Sequence, residues 1–176
     1  ISGSAQRQVF ICFLILTLVI GLSLQMLGSA LITPSAPAGI ISFEFAGTLD
    51  KANEIIASWG PDGQAFAGLN LGIDYLFLVS YSICIGLGCE LLARSQSSHS
   101  WFLHSTGMIL AWAQIGAGLL DALENYALIR VFLGSEGAHW PAVAHWCAIP
   151  KFIIVALGLI FILLTSILGA VRSRNS

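Results

Sequence analysis

Five ionisable side chains stand where so apolar a chain has least reason to carry them: Glu44, Asp74, Asp121, Glu124 and Lys151. Ionisable groups close to lipid are costly unless they pair with one another, so each needs a partner or a task. Three chemistries are open to them. Carboxylates at a water–lipid boundary can act as general acid and base when one of them is kept protonated. That use would fall to Asp74, Asp121 and Glu124, with Lys151 stabilising developing negative charge. Alternatively, Glu44, Asp74, Asp121 and Glu124 could offer oxygen ligands to a hard cation, with His139 and His145 adding nitrogen. In the third, Lys151 pairs with Asp74 or Asp121 and serves structure alone, locking the helices together; the other use of the same groups is a site for a ligand, a lipid headgroup or a partner.

No specific reaction is written into the sequence. It has no Ser–His pairing, glycine-rich phosphate loop, haem-type histidine pair, nucleotide signature or structural zinc motif. Cys12, Cys84 and Cys89 fall within apolar segments and Cys147 stands alone. They read as small apolar packing residues rather than a redox framework. Four-span families whose outer loops carry paired cysteines are excluded on the same ground, because the 33–68 stretch has none.

The elements that must position these side chains follow from composition. Apolar residues make up 57% of the 176 residues and charged residues 9%, with a mean hydropathy of +0.88. A soluble domain carries about 25% charged residues, so this chain calls for lipid around it. Four segments, about 9–32, 69–92, 101–123 and 152–171, approach or exceed the roughly 20 apolar residues that cross a 30 Å hydrocarbon layer. Backbone groups in lipid must be satisfied within the segment, and no strand-like alternation appears, so the segments are helices. The fold class is an all-α integral membrane protein forming one domain over 1–176. Its four-transmembrane-helix bundle has a short amphipathic outer helix, and helices 3 and 4 extend beyond the outer boundary.

That outer helix is expected over about 49–59. Thr48 caps it, Gly60-Pro61 ends it, and Leu49, Ala52, Ile56 and Trp59 recur at helical spacing. Trp59 suits the headgroup level. A second outer helical piece is expected around Pro141, kinked or broken at Pro150. Arg7, Arg94, Arg172 and Arg174 lie on one side; Lys51, Arg130 and Lys151 lie on the other, diluted by acids. The positive-inside rule then places both termini and the Ser95–Ser100 loop in the cytoplasm, making the protein multi-pass.

Depth follows from counting. A step of about 20 helical residues covers about 30 Å. Taken from Arg94, Trp101, Arg172 and Arg7, that step reaches Asp74, Asp121, the region of Lys151 and the region of Gln25. Four helices thus bring polar residues to one level near the outer boundary. Spacing gives the direction. Gln114, Gly118, Asp121 and Asn125 share a face; so do Asn70, Asp74 and Tyr81; Thr17, Gly21, Gln25 and Gly28; and Lys151, Gly158, Thr165 and Gly169. Small residues allow close approach of membrane helices, and polar ones bond across the contact. Glu44, between Phe43 and Phe45, either reaches water or dips into the mouth of the bundle. Glu124 and Arg130 either stay solvated or pair with each other.

The expected ligand-binding set is Gln25, Glu44, Asn70, Asp74, Tyr81, Gln114, Asp121, Glu124, Asn125 and Lys151. The leading expectation is a non-enzymatic protein with an outward-facing polar pocket for a small ligand, a lipid headgroup or a partner subunit. A small membrane-embedded enzyme acting on a lipid or amphiphile is the alternative, followed by an oligomeric transporter or channel. The lipid bilayer is the expected surrounding. A membrane-protein partner or a second copy fits the accessory role, and nucleic acid has no place in it.

Overall fold

A computed structural model describes residues 3–96 and 100–174. Among these residues the regular structure is helical: α1 (Gly3–Gly28), a 3-10 turn at Ser29–Leu31, α2 (Ile40–Glu44), α3 (Leu49–Ser95), α4 (Trp101–Phe132) and α5 (His139–Arg174). α1, with the 3-10 turn that continues it, and the three other long helices are long and apolar enough to cross a membrane. α3 is central and packs against α1, α4 and α5, while α4 also packs against α5.

The start of α4 is set by Ser100, whose side chain accepts a hydrogen bond from the Leu103 N–H, and the start of α3 by Thr48, which accepts from the Lys51 N–H. Such caps satisfy amide groups that the first helical turn leaves unpaired. α1 has a single buried residue, Ile20, and exposes Ile11, Ile15, Leu18, Leu22 and Met26. So broad an apolar outer surface suits a hydrocarbon surrounding and would be unusual in water.

Two contacts fix which helix ends lie together. Arg172 donates to Gln96 Oε1 at 2.9 Å, and a side-chain atom on Gly88 would meet both Phe10 and Ile162. The start of α1 therefore shares one end of the bundle with the ends of α3 and α5. The opposite end carries the 32–48 segment and the first turns of α3. Residues 97–99, within the short loop expected in the cytoplasm, lie outside the described residues.

Three features can be set beside the sequence expectation. Within Leu49–Ser95 two helices meet at a kink at Gly60, where the amphipathic piece was expected to end, and the second resumes directly with no loop between them. Gly60 has φ 62° and ψ −178°, a conformation almost confined to glycine. Pro61 then occupies the first position of the resumed helix, where its missing N–H costs nothing. Trp59 is buried, and its indole N–H donates to the Leu31 carbonyl at 2.8 Å. Pro150 neither ends nor interrupts α5. Trp146, four residues before this proline, has no amide N–H from it to accept, and is itself exposed. α4 and α5 do extend past the polar level, as expected.

Two apolar cores result. One, at the capped end, joins Leu31, Phe43, Ile55, Trp59, Leu71, Leu128 and Val131. The other joins Leu78, Tyr81, Ile85, Cys89 and Phe161. Along α3 and α4 the polar residues Asp74, Asp121, Glu124 and Asn125 fall between them.

Candidate functional site

Lys151 is the centre of the polar layer. Its position on α5 turns it inward, and it is 6% exposed. Its Nζ lies 2.7 Å from Glu124 Oε2, 3.0 Å from Asp121 Oδ1 and 3.8 Å from Glu44 Oε2. Asp121 and Glu124 stand three residues apart on α4, so one helical face presents both to the same ammonium. The second oxygen of Asp121 accepts a 2.9 Å hydrogen bond from the Tyr81 hydroxyl of α3. Three helices are thereby tied through one carboxylate.

Asp74 does not join this clamp. It accepts a hydrogen bond from Asn125 Nδ2, one turn along α4 from Asp121, and no ion pair forms between it and Lys151. The expectation that Lys151 pairs with Asp74 or Asp121 is therefore met by Asp121 alone. Lys151 also takes Glu124, which sequence reasoning had left to solvent or to Arg130. Glu124 is 1% exposed. Arg130 instead lies over the Trp140 ring at 5.2 Å and donates to the Tyr126 hydroxyl. The signal for Glu124 was its three-residue spacing from Asp121, a stronger guide to facing than its nearness to a helix end.

Glu44 reaches this site from outside the four long helices. α2 is one short turn, and Phe43 beside it is buried against Trp59. That anchor carries Glu44 into the mouth of the bundle. Burial raises the Glu44 carboxyl above its ordinary range, and the Lys151 charge works in the opposite sense. Its Oε2 is buried without a hydrogen-bond partner.

Beside the clamp lies a cavity of about 420 Å³ between α1, α2 and α3. Its polar lining is Gln25, Ser29, Glu44, Asn70, Asp74 and Asn125, and its apolar lining includes Leu24, Ile32, Ile40, Ile41 and Leu71. Gln25, Ile32 and Ile41 are exposed, whereas Asn70 is buried and donates to the Leu24 carbonyl at 3.1 Å. The ten expected site residues thus divide. Gln25, Glu44, Asn70, Asp74 and Asn125 line the cavity; Tyr81, Asp121, Glu124 and Lys151 form the clamp behind it. Gln114 belongs to neither. It is fully buried, donates to the Ile154 carbonyl at 3.0 Å and joins α4 to α5. The contribution of Ile40 and Ile41 to the cavity wall had no signal in the sequence, since it depends on how the 32–48 segment folds back.

Among the described residues, no group of three His, Cys, Asp or Glu side chains is arranged to hold a metal ion. The geometry gives the reason. Lys151 takes the position among Glu44, Asp121 and Glu124 that a cation would need, and Asp74 is bonded to Asn125 instead. His145, instead of joining the carboxylates, packs edge-on to Phe45. The four cysteines are free.

No family model matches the chain, and neither the curated proteins nor the solved structures include a significant match.

Proposed function

We propose that this chain is a polytopic membrane protein without catalytic activity of its own, whose outward-facing pocket binds a lipid headgroup or another small amphiphile. The carrying observation is the cavity of about 420 Å³, which joins a polar floor to an apolar wall. Its size falls within the range of small-molecule sites, and such sites combine apolar lining with a few placed polar groups. Asn70, Asp74 and Asn125 are set on spanning helices, so the floor is rigid. Leu24 and Gly28 belong to α1, the helix with the most apolar outer surface, and put the wall beside the expected lipid.

An enzyme would need Asp121 and Glu124 at the substrate. Both are engaged by Lys151 and neither lines the cavity, which favours binding. A conducting path finds little support below the polar layer. There, side-chain atoms on Gly107 and Gly158 would come within 2.5 Å of Phe161 and Gln114, marks of close helix packing. In this reading both termini are cytoplasmic, in line with the arginines at their end of the bundle.

The test is to fill the cavity. Gly28→Phe places a ring in it from a helix that need not move. Native mass spectrometry of the purified protein should show an amphiphile retained by wild type and lost from Gly28→Phe, with the thermal midpoint little changed. Wild type that retains nothing specific, or a variant that retains the same species equally, refutes the proposal.

A further inference from the structure

We infer that the headgroup taken by the cavity is a cationic amine. The inference rests on the proposed pocket and adds its chemical selectivity. Three carboxylates, Glu44, Asp121 and Glu124, gather around one ammonium, Lys151, and a fourth, Asp74, stands beside them on Asn125. The ammonium has three N–H donors. Asp121 and Glu124 stand within hydrogen-bonding distance of it, at 3.0 and 2.7 Å. Glu44 lies beyond that range at 3.8 Å, the longest of the three ion pairs, and its Oε2, like both Glu124 carboxylate oxygens, has no hydrogen bond. Asp74 has the neutral amide of Asn125 and no cation. The two carboxylates that stand outside hydrogen-bonding distance of Lys151, Glu44 and Asp74, are the two that line the cavity.

Charge therefore accumulates on the ligand side of the clamp. A buried carboxylate without a counter-charge is costly, and one that accepts charge-assisted hydrogen bonds is stabilised. An ammonium entering from the cavity can donate to both Glu44 and Asp74, with the Gln25 side chain near the rim as a further acceptor. A carboxylate or phosphate at the same place would meet two negative groups with Lys151 already engaged behind them. A hydroxyl can bond there and leaves the charge unbalanced. The wall formed by Leu24, Ile32 and Ile41 then receives the apolar part of the molecule. The shared chemistry is an amine, and it can come from a membrane lipid headgroup or from a free amine.

The experiment uses the full chain in an uncharged maltoside detergent at pH 7, with binding followed by titration in native mass spectrometry. Dodecylamine, dodecanol and dodecanoate have the same chain and differ in head charge. The expected result is one dodecylamine per chain, bound at least tenfold more tightly than dodecanol, with dodecanoate weaker than both. Asp74→Asn should weaken dodecylamine at least tenfold and leave dodecanol unchanged. Glu44→Gln should do the same and serves if Asp74→Asn fails to fold. Ethanolamine and phosphatidylethanolamine separate the two sources. Whichever binds with the same dependence on Asp74 or Glu44 identifies the source. If dodecanol matches dodecylamine, or neither substitution alters amine binding, the charge inference is overturned while the pocket stands. If none of the probes binds, and Gly28→Phe and wild type both come through purification empty, the pocket falls as well.

Discussion

Replacing Lys151 with Met keeps much of the side-chain volume and removes the only cation of the clamp. At an effective dielectric of about 20, two unit charges 4 Å apart attract by roughly 4 kcal/mol. Lys151 has two carboxylates closer than that and a third near it. Most of this attraction is offset by the cost of bringing the charges out of water, so the gross sum overstates the effect. The variant can also relieve itself by taking up a proton. For a carboxylate that titrates near pH 4.3 in water, protonation at pH 7 costs about 1.4 kcal/mol per pH unit, or about 3.7 kcal/mol. One lost cation calls for about one proton, so Lys151→Met should destabilise by about 3–5 kcal/mol at pH 7, as expected for a broken buried pair. The loss should shrink toward about 1 kcal/mol at pH 5, where that proton is nearly free. Adding Glu124→Gln should recover part of the loss at pH 7. The comparison is Lys51→Met, which breaks an exposed pair with Glu54 and should have little effect, since water and salt screen such pairs. Unfolding by sodium dodecyl sulfate, followed by circular dichroism at both pH values, reads all four proteins. A loss no larger than that of Lys51→Met, or one unchanged between pH 7 and pH 5, would refute the clamp.

Other expectations are more local. Tyr81→Phe removes the donor to Asp121 and should cost about 1.5–3 kcal/mol, the range for a hydrogen bond to a charged group, in the same unfolding assay. Gly107→Ala pushes a methyl group against Phe161 and Ala93 and should destabilise by about 1–3 kcal/mol, whereas Gly116→Ala, with open space around it, should not. The raised Glu44 carboxyl favours the folded state while protonated. Its contribution is therefore complete below about pH 4.5 and is lost as pH rises through the raised value. Lys151, Glu124 and Asp121 all face it, and thermal midpoints should show Glu44→Gln gaining on wild type from pH 4.5 upward. Cysteines placed at Ser97 and Asp62 on a cysteine-free background should label from opposite sides of the membrane with an impermeant thiol reagent. Labelling from one side would remove the proposed topology.

Helix number and the polar level were legible because both rest on regular geometry. Counting from Arg94 and Trp101 reached Asp74 and Asp121, and the helical repeat turned Asn70, Tyr81, Asp121 and Lys151 inward, as they are in the structure. What the repeat cannot give is the pairing of groups at one level. Lys151 chooses among carboxylates on three elements by distances that depend on helix rotation and on a loop. Glu124 was misjudged because it stands near the end of an apolar run, yet α4 continues to Phe132 and keeps it covered. The split between clamp and cavity was not readable either, because the 38–41 stretch that walls the cavity folds back from the far end of α1.

The bend at Gly60 gives the capped end a mechanical property. From Leu49 to Trp59 the helix is a stiff arm of about 16 Å, at 1.5 Å per residue. It joins the rest of α3 without an intervening loop, so the backbone angle at Gly60 sets its direction. A turn of 10° there carries the Leu49 end through about 3 Å, on the geometry of an arm that long. Phe43 and Ile55 share one packed cluster with Leu71, Leu128 and Val131 of the long helices, so the arm and the 32–48 segment are held against the bundle together. The separation between Glu44 and Asp74 across the cavity thus depends on one backbone angle and on the packing that holds it, with Glu44 on the arm's side and Asp74 on the bundle's.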